Sequence, residues 1–403
     1  MGRRLTRIRR LAPALLMLCA TACAQPERPD PFVRVDSAGV RIVESTSAAW
    51  SPGEEWRVDP EPVFSLGDDE DDPASQFFRV LDVALLAGGD VIVVDGGTSE
   101  VRRYDAGGRH LWSAGGSGEG PGEFQSPRYL GRRQDGAFLI WDRSLSRLSA
   151  LGEQGDLIAT ERPSFGGSEF VAQGLFDDGA WLVTFPVSIA APEAGTTWAD
   201  TIGLWRYDPV RWDRVRLATI LGQRWIWTGR HMLPVPFSPR PLRAIDGNRL
   251  AVASGPDAQV SLHDAAGSLV ARHRIVRDRQ PVSGADVAQT IESLVEIGQS
   301  GADAAVWREW RDRMEIPRQE PAFDQLLTEP DGTIWARRFQ SNPLSRESPT
   351  WDVFDPTGVY LGPVSTPGAL TVLAIRDGLL AGVYRDELGV EYVSVHRVVG
   401  AVR

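Results

Sequence analysis

The chain contains no lysine: all 43 of its basic residues are arginine. That removes Schiff-base chemistry, the phosphate-loop lysine and the kinase lysine together. Cysteine is nearly absent as well, with only Cys19 and Cys23. Both fall in an N-terminal stretch that reads as a processed segment. The mature chain is then left with no free thiol and no disulfide, and its stability must come from core burial. Asparagine occurs twice, at Asn248 and Asn342. There is no HExxH, no CxxC and no EF-hand loop. The five histidines (110, 231, 263, 273 and 396) share no ligand spacing. Gly298 to Ala302 misses a Gly-x-Ser-x-Gly elbow by one residue, and Gly115 to Gly122 lacks the GK[ST] of a phosphate loop. No metal and no cofactor is expected. A formal net charge of -11 argues against a nucleic-acid binder, which needs a basic face to displace counterions from phosphates.

What is present begins with a targeting pattern. Arg3, Arg4, Arg7, Arg9 and Arg10 precede a short apolar run, Leu11 to Leu18, too short to span a bilayer. Ala20, Thr21 and Ala22 then precede Cys23. This resembles a bacterial lipobox, whose cysteine becomes the lipidated first residue of the mature chain. Residues 1–22 are accordingly read as a signal peptide and Cys23 as the lipidation site. Plain secretion after Ala-x-Ala is the alternative. Residues 23–32 carry three prolines and no apolar period, as a tether would.

From residue 33 to 403 a single all-β domain is expected. Its most regular stretch is 88–124, GGDVIVVDGGTSEVRRYDAGGRHLWSAGGSGEGPGEF. Short apolar or alternating runs are cut by Gly/Asp turns, as in a meander of antiparallel strands. A Gly/Asp turn followed by an apolar run recurs at Gly89, Gly136, Gly179, Gly247, Gly332 and Gly378. The runs are apolar on both faces rather than alternating, as expected of strands buried on both sides. Three of the intervals fall near the ~40–50 residues of a four-stranded propeller blade. The two longer ones imply insertions. One covers Ile189 to Thr201 and Arg224 to Pro241. The other, 283–317, switches to helical period and reads as a helical hairpin, with Ser283 and Ser300 as N-caps and Val306, Trp307, Trp310 and Met314 on one stripe. An acidic run at Asp68 to Asp72 lacks the pattern of a calcium loop and reads as a solvated turn.

The segment GEGPGEF at 118–124 is similar to the linker between blades of NHL-type six-bladed β-propellers, in the TolB/NHL-type superfamily. FGGSEF at 165–170 is a partial echo of it. The resemblance implies a six-bladed propeller in which Phe124 wedges between blades. The last sheet is short of a strand, and Val40 to Glu44 is expected to supply it, so that the N-terminal strand pairs with the last blade.

Ligands of a propeller are expected at the mouth of its central channel, where the inner strands begin. Arg79, Arg128 and Arg243 fall there, with Asp324 in the fifth repeat. Converging arginines suit a carboxylate, a phosphate or an acidic sugar. Pairing with Glu123 or Glu169 is the alternative. Trp225 and Trp227, in the third-repeat insertion, are candidate contact residues. The expectation is a non-enzymatic envelope lipoprotein that binds an envelope protein, peptide or glycan, anchored at Cys23 in the outer membrane. Two alternatives stand beside it. One is a lactonase-like hydrolase or lyase using a divalent cation; the other is a subunit of an outer-membrane assembly.

Overall fold

The computed structural model describes residues 2, 30–67, 72–163, 170–185 and 193–400. Cys23, Glu169, and nearly all of the signal, tether and acidic-run segments lie outside them. The chain divides into two compact units, Met1–Asp30 and Pro31–Arg403. The second unit carries all of the secondary structure among the described residues.

Six sheets make up this unit among the described residues. The first holds Val80–Leu85, Val91–Asp95, Glu100–Tyr104 and His110–Gly115. The second holds Pro127–Arg132, Phe138–Asp142, Arg147–Leu151 and Leu157–Glu161. The third holds Val171–Leu175, Trp181–Thr184, Thr197–Asp208, Asp213–Trp227 and Met232–Pro234. The fourth is built on Leu242–Asp246, Arg249–Ala253, Gln259–His263 and Leu269–Ile275. The fifth holds Phe323–Thr328, Ile334–Arg338, Thr350–Phe354 and Tyr360–Ser365. The sixth joins Leu370–Arg376, Leu379–Arg385 and Glu391–Val399 to Arg57–Leu66.

The second strand of each sheet explains how the sheets meet. Successive side chains of a strand point to opposite faces. Val91 and Val93 pack with Ala381, Val383 and Val395 of the sixth sheet. Ile92 and Val94 pack with Phe138 and Ile140 of the second. Leu139 and Trp141 continue to Trp181 and Val183 of the third. Leu182 then meets Leu250 and Val252, Ala251 meets Ile334 and Ala336, and Trp335 meets Leu380. Each of these cores therefore joins two sheets face to face. Phe124 of the GEGPGEF segment is fully buried between the first and second sheets, which contributes about 2–3 kcal/mol from area alone. The close fit needs glycine at 115, where φ is 112° and a β-carbon would come within 2.7 Å of the Phe124 ring.

Val40 to Glu44 does not complete the sixth sheet. The strand Val40–Ser45 pairs in parallel with Leu269–Ile275 of the fourth sheet, and Phe32–Ser37 covers its outer side. Arg57–Leu66 pairs with Glu391–Val399 instead. This strand contains Pro60 and Pro62. An outermost strand needs donors on one side only, so it tolerates proline. Pro62 sits opposite His396, with register shifts on both sides of His396.

The helical insertion comprises α1 (Gly284–Glu296) and α2 (Ala304–Arg311). Ser283 caps α1 with a reciprocal capping box to Asp286. Asp303, not Ser300, caps α2; its carboxylate accepts from Ala305 and Val306 N–H, and Ser300 lies in a 3-10 turn. Trp307, Trp310 and Met314 are buried, as their stripe predicts. They pack on Ile226, Leu233 and Val235, so the two insertions share one small core. Thr290 Oγ1 and Ser293 Oγ tie α1 to Ser341 O and Asn342 Oδ1 of the fifth-sheet loop, at 2.9 and 2.8 Å.

Buried carboxylates hold the crossings between sheets. Asp95 accepts from Phe78 and Gly97 N–H, and Asp142 from Gln125 and Leu145 N–H. Asp352 is fully buried and takes Arg277, Arg338 and the Tyr360 hydroxyl. Replacing it, Asp352→Ala, strands two guanidinium groups and should cost about 3–5 kcal/mol. A urea denaturation curve checks this; an unchanged midpoint would mean that Asp352 holds nothing together.

Candidate functional site

The opening residues of the first strands face one another. Three adjoining cavities line this end. The first, of about 480 Å³, receives Asp82 from the first sheet, Arg128 and Arg143 from the second, Gln173 from the third and Arg243 from the fourth. Arg128 Nη1 donates to Leu81 O. Arg243 Nη2 donates to Gln173 Oε1, and its Nη1 lies 3.4 Å from Pro241 O. Gln173 is held in turn by its Nε2 donating to Thr184 Oγ1 at 3.1 Å.

Arg243 is half-buried and pairs with no carboxylate among the described residues. Burial alone lowers its pKa from the usual guanidinium value. A desolvated cation without a counter-charge is costly, and an anion delivered to it removes that cost. Arg143 is exposed, and its side chain makes no hydrogen bond among the described residues. Among the described residues Asp82 is the one acid lining this cavity. Burial pushes its pKa up to about 6 against the opposing pull of Arg128.

A second cavity, of about 440 Å³, shares Gln173 and Arg243 with the first and adds Asp324 and Gln325. Asp324 is buried and committed: it accepts from Arg337 Nε at 2.5 Å and Gln340 N–H at 3.1 Å. Burial raises its pKa and Arg337 opposes the rise. The third cavity, of about 510 Å³, shares Asp324 and lies under the joined insertions.

The residues singled out from sequence separate here. Arg128 and Arg243 share one cavity. Arg79 lines none of the three; it is exposed, adopts φ 80° and donates to Gly96 O at 2.7 Å. Arg128 and Arg243 do not pair with Glu123, whose carboxylate accepts from Gly120 N–H. Trp225 and Trp227 lie on the strand Asp213–Trp227, opposite Pro234 and Met232, half-buried and outside these cavities. The insertion that carries them is a strand extension rather than a loop. Sequence reasoning missed Asp82 and Gln173. Both are the third or nearby residue of an inner strand, a position equivalent to that of the arginines. Among the described residues no three His, Cys, Asp or Glu side chains converge as a metal site would require.

No protein-family model matches the chain, and no curated protein matches its sequence. Solved structures do share its fold. An exported protein from Bacteroides fragilis superposes with a TM-score of 0.50 at 9% identity, over 89% of this chain and 99% of that one. A DUF4221 family member from Bacteroides vulgatus gives 0.49 at 11%, over 86% and 99%. A gluconolactonase from Xanthomonas campestris gives 0.42 at 12%, over 80% and 87%. At these identities the likeness concerns fold alone. Nearly all-β, with sheets packed face to face around inner strands, the chain has a β-propeller type of fold.

Asp82 makes the stability of the fold depend on pH. Its folded pKa, about 6, lies above the ordinary 3.8, so the folded chain retains a proton that the unfolded chain releases between these values. The stability it contributes is full below pH ~4 and is lost as pH rises through ~6. Asp82→Asn should match wild type in urea at pH 4 and exceed it at pH 7.5. A pH-independent difference would assign Asp82 an ordinary pKa.

Proposed function

We propose that this chain is a non-enzymatic binding module of the bacterial cell envelope: a six-bladed propeller, closed by Arg57–Leu66, that takes an acidic ligand at the mouth of its channel. The carrying observation is Arg243, a half-buried guanidinium whose partners are an amide and a carbonyl oxygen. A carboxylate or phosphate entering beside Gln173 would supply the missing counter-charge, and Arg128 and Arg143 would complete the field. The ligand is a protein, peptide or glycan component of the envelope. Export is supported by the basic and apolar N-terminal pattern and by the exported neighbour. No helix among the described residues is long and apolar enough to cross a membrane. The attachment proposed is a lipid at Cys23, on the lipobox-like residues before it.

A cation-dependent hydrolase is the second reading. The described residues do not favour it, because their donors are dispersed and the cavity that would hold the metal carries arginines.

Binding is tested by titration calorimetry with glucuronate and, as its neutral counterpart, methyl glucoside. Wild type should bind the acid alone. Arg243→Gln should weaken it about 10-fold or more, the loss of one charge-assisted hydrogen bond. Equal binding of acid and neutral probe, or an unaffected Arg243→Gln, would refute the channel site. Attachment is tested by detergent phase separation of cells expressing the full chain: wild type should enter the detergent phase and Cys23→Ala the aqueous phase. Aqueous wild type would mean plain secretion.

A further inference from the structure

The third cavity has a character of its own. Two aromatic side chains, Phe237 and Phe339, lie in its wall with ring centroids 5.6 Å apart. Gln223, Gln340, Ser341 and Thr371 also line it, and none of these side chains makes a hydrogen bond among the described residues. Nor does Arg240, which is exposed at its edge. The only acid lining it, Asp324, is already bound to Arg337 and to Gln340 N–H. The cavity thus offers free amide and hydroxyl groups, an aromatic surface and an exposed cation, Arg240, that makes no ion pair among the described residues although its charge acts on Asp324. Phe237 is held at φ 59°, a backbone conformation that L-residues rarely adopt. Such strain is characteristic of ligand-binding segments.

The three cavities form a sequence. The third meets the second at Asp324, and the second meets the first at Gln173 and Arg243. Arginines with no ion-paired acid among the described residues stand along it: Arg240 in the third cavity, and Arg243 and Arg143 in the first. A monomeric acid can use one end only. A chain that repeats a negative charge along its length can use both.

We infer that the ligand is an oligosaccharide of acidic sugars, lying across the three cavities with one carboxylate at Arg243 and another at Arg240. This rests on the channel-mouth reading and adds the ligand class and its length. Sugar is favoured over peptide by the lining. The free groups are side-chain amides and hydroxyls beside aromatic rings, which suit a ring bearing hydroxyls on its edges and apolar C–H on its faces. An extended peptide would instead look for an open strand edge, and the described lining of the third cavity mixes side chains from loops, strands and α1.

The test uses the full chain lacking only its first 22 residues, and titrates it with galacturonate and its di-, tri- and tetramer. Affinity should rise about 10-fold or more from monomer to tetramer. Arg240→Gln should abolish that gain and leave monomer binding unchanged. Phe339→Ala should weaken the tetramer and spare the monomer. Arg243→Gln should weaken every length. Binding that depends on Arg243 but not on length or on Arg240 overturns this inference and leaves the channel site standing. Tetraglutamate binding as tightly as the tetramer overturns the sugar assignment. Failure of every acid to bind removes both readings. Circular dichroism of each variant separates a lost contact from a lost fold.

Discussion

Each sheet hides its second strand on both faces, and the rest of the molecule depends on that constraint. A strand apolar on both sides cannot lie at a surface, so every sheet needs two neighbours. Val91–Asp95 shows this directly: its odd and even positions belong to two different cores, one shared with the sixth sheet and one with the second. The outer strand of the sixth sheet, Arg57–Leu66, is drawn from the N-terminal part of the same unit.

Polar groups handle the places where apolar packing gives way to connections. At the end of a second strand, Asp95 and Asp142 accept backbone N–H groups of the segment arriving at their sheet. Arg102 and Arg147 take its carbonyls, with Arg147 holding Glu119 O and Glu123 O and Arg102 holding Gln76 O at 2.6 Å. Such groups would be costly if left unpaired in the interior. These bonds fix the path by which one sheet hands over to the next. Arg243 is held in the same manner, by Gln173 Oε1 and Pro241 O, with no carboxylate partner among the described residues.

The insertions act together. The hairpin extension of the third sheet and the two helices cover each other's apolar faces through Ile226, Leu233, Trp307 and Trp310. Neither could bury its stripe alone. Their union contributes Val235, Thr290 and Leu294 to the wall of the third cavity. The exported neighbour from Bacteroides fragilis spans nearly the same length of fold at 9% identity, so the likeness leaves the lining of these cavities free to differ.

Local pattern made much of this legible. Turn residues marked six apolar runs, and their lack of alternation announced burial on both faces. Ser283 and its helical period announced α1, and the stripe of Trp307 and Trp310 announced the buried face of the second helix. Arg128 and Arg243 could be placed near the mouth by their distance from the apolar runs. Two kinds of information were out of reach. Which N-terminal strand would join the sixth sheet depended on long-range pairing, and the one that did contains Pro60 and Pro62. Which charges would be neutralised depended on distances between sheets far apart in the chain: Arg79 found Gly96 O, Asp324 found Arg337, and Arg243 found no acid among the described residues. The order of residues along the chain determined which strands must be dry and where they turn. Only the closing of one sheet against another decided which guanidinium groups stayed without a counter-charge, because burial and charge pairing are properties of the assembled interior and not of any single strand.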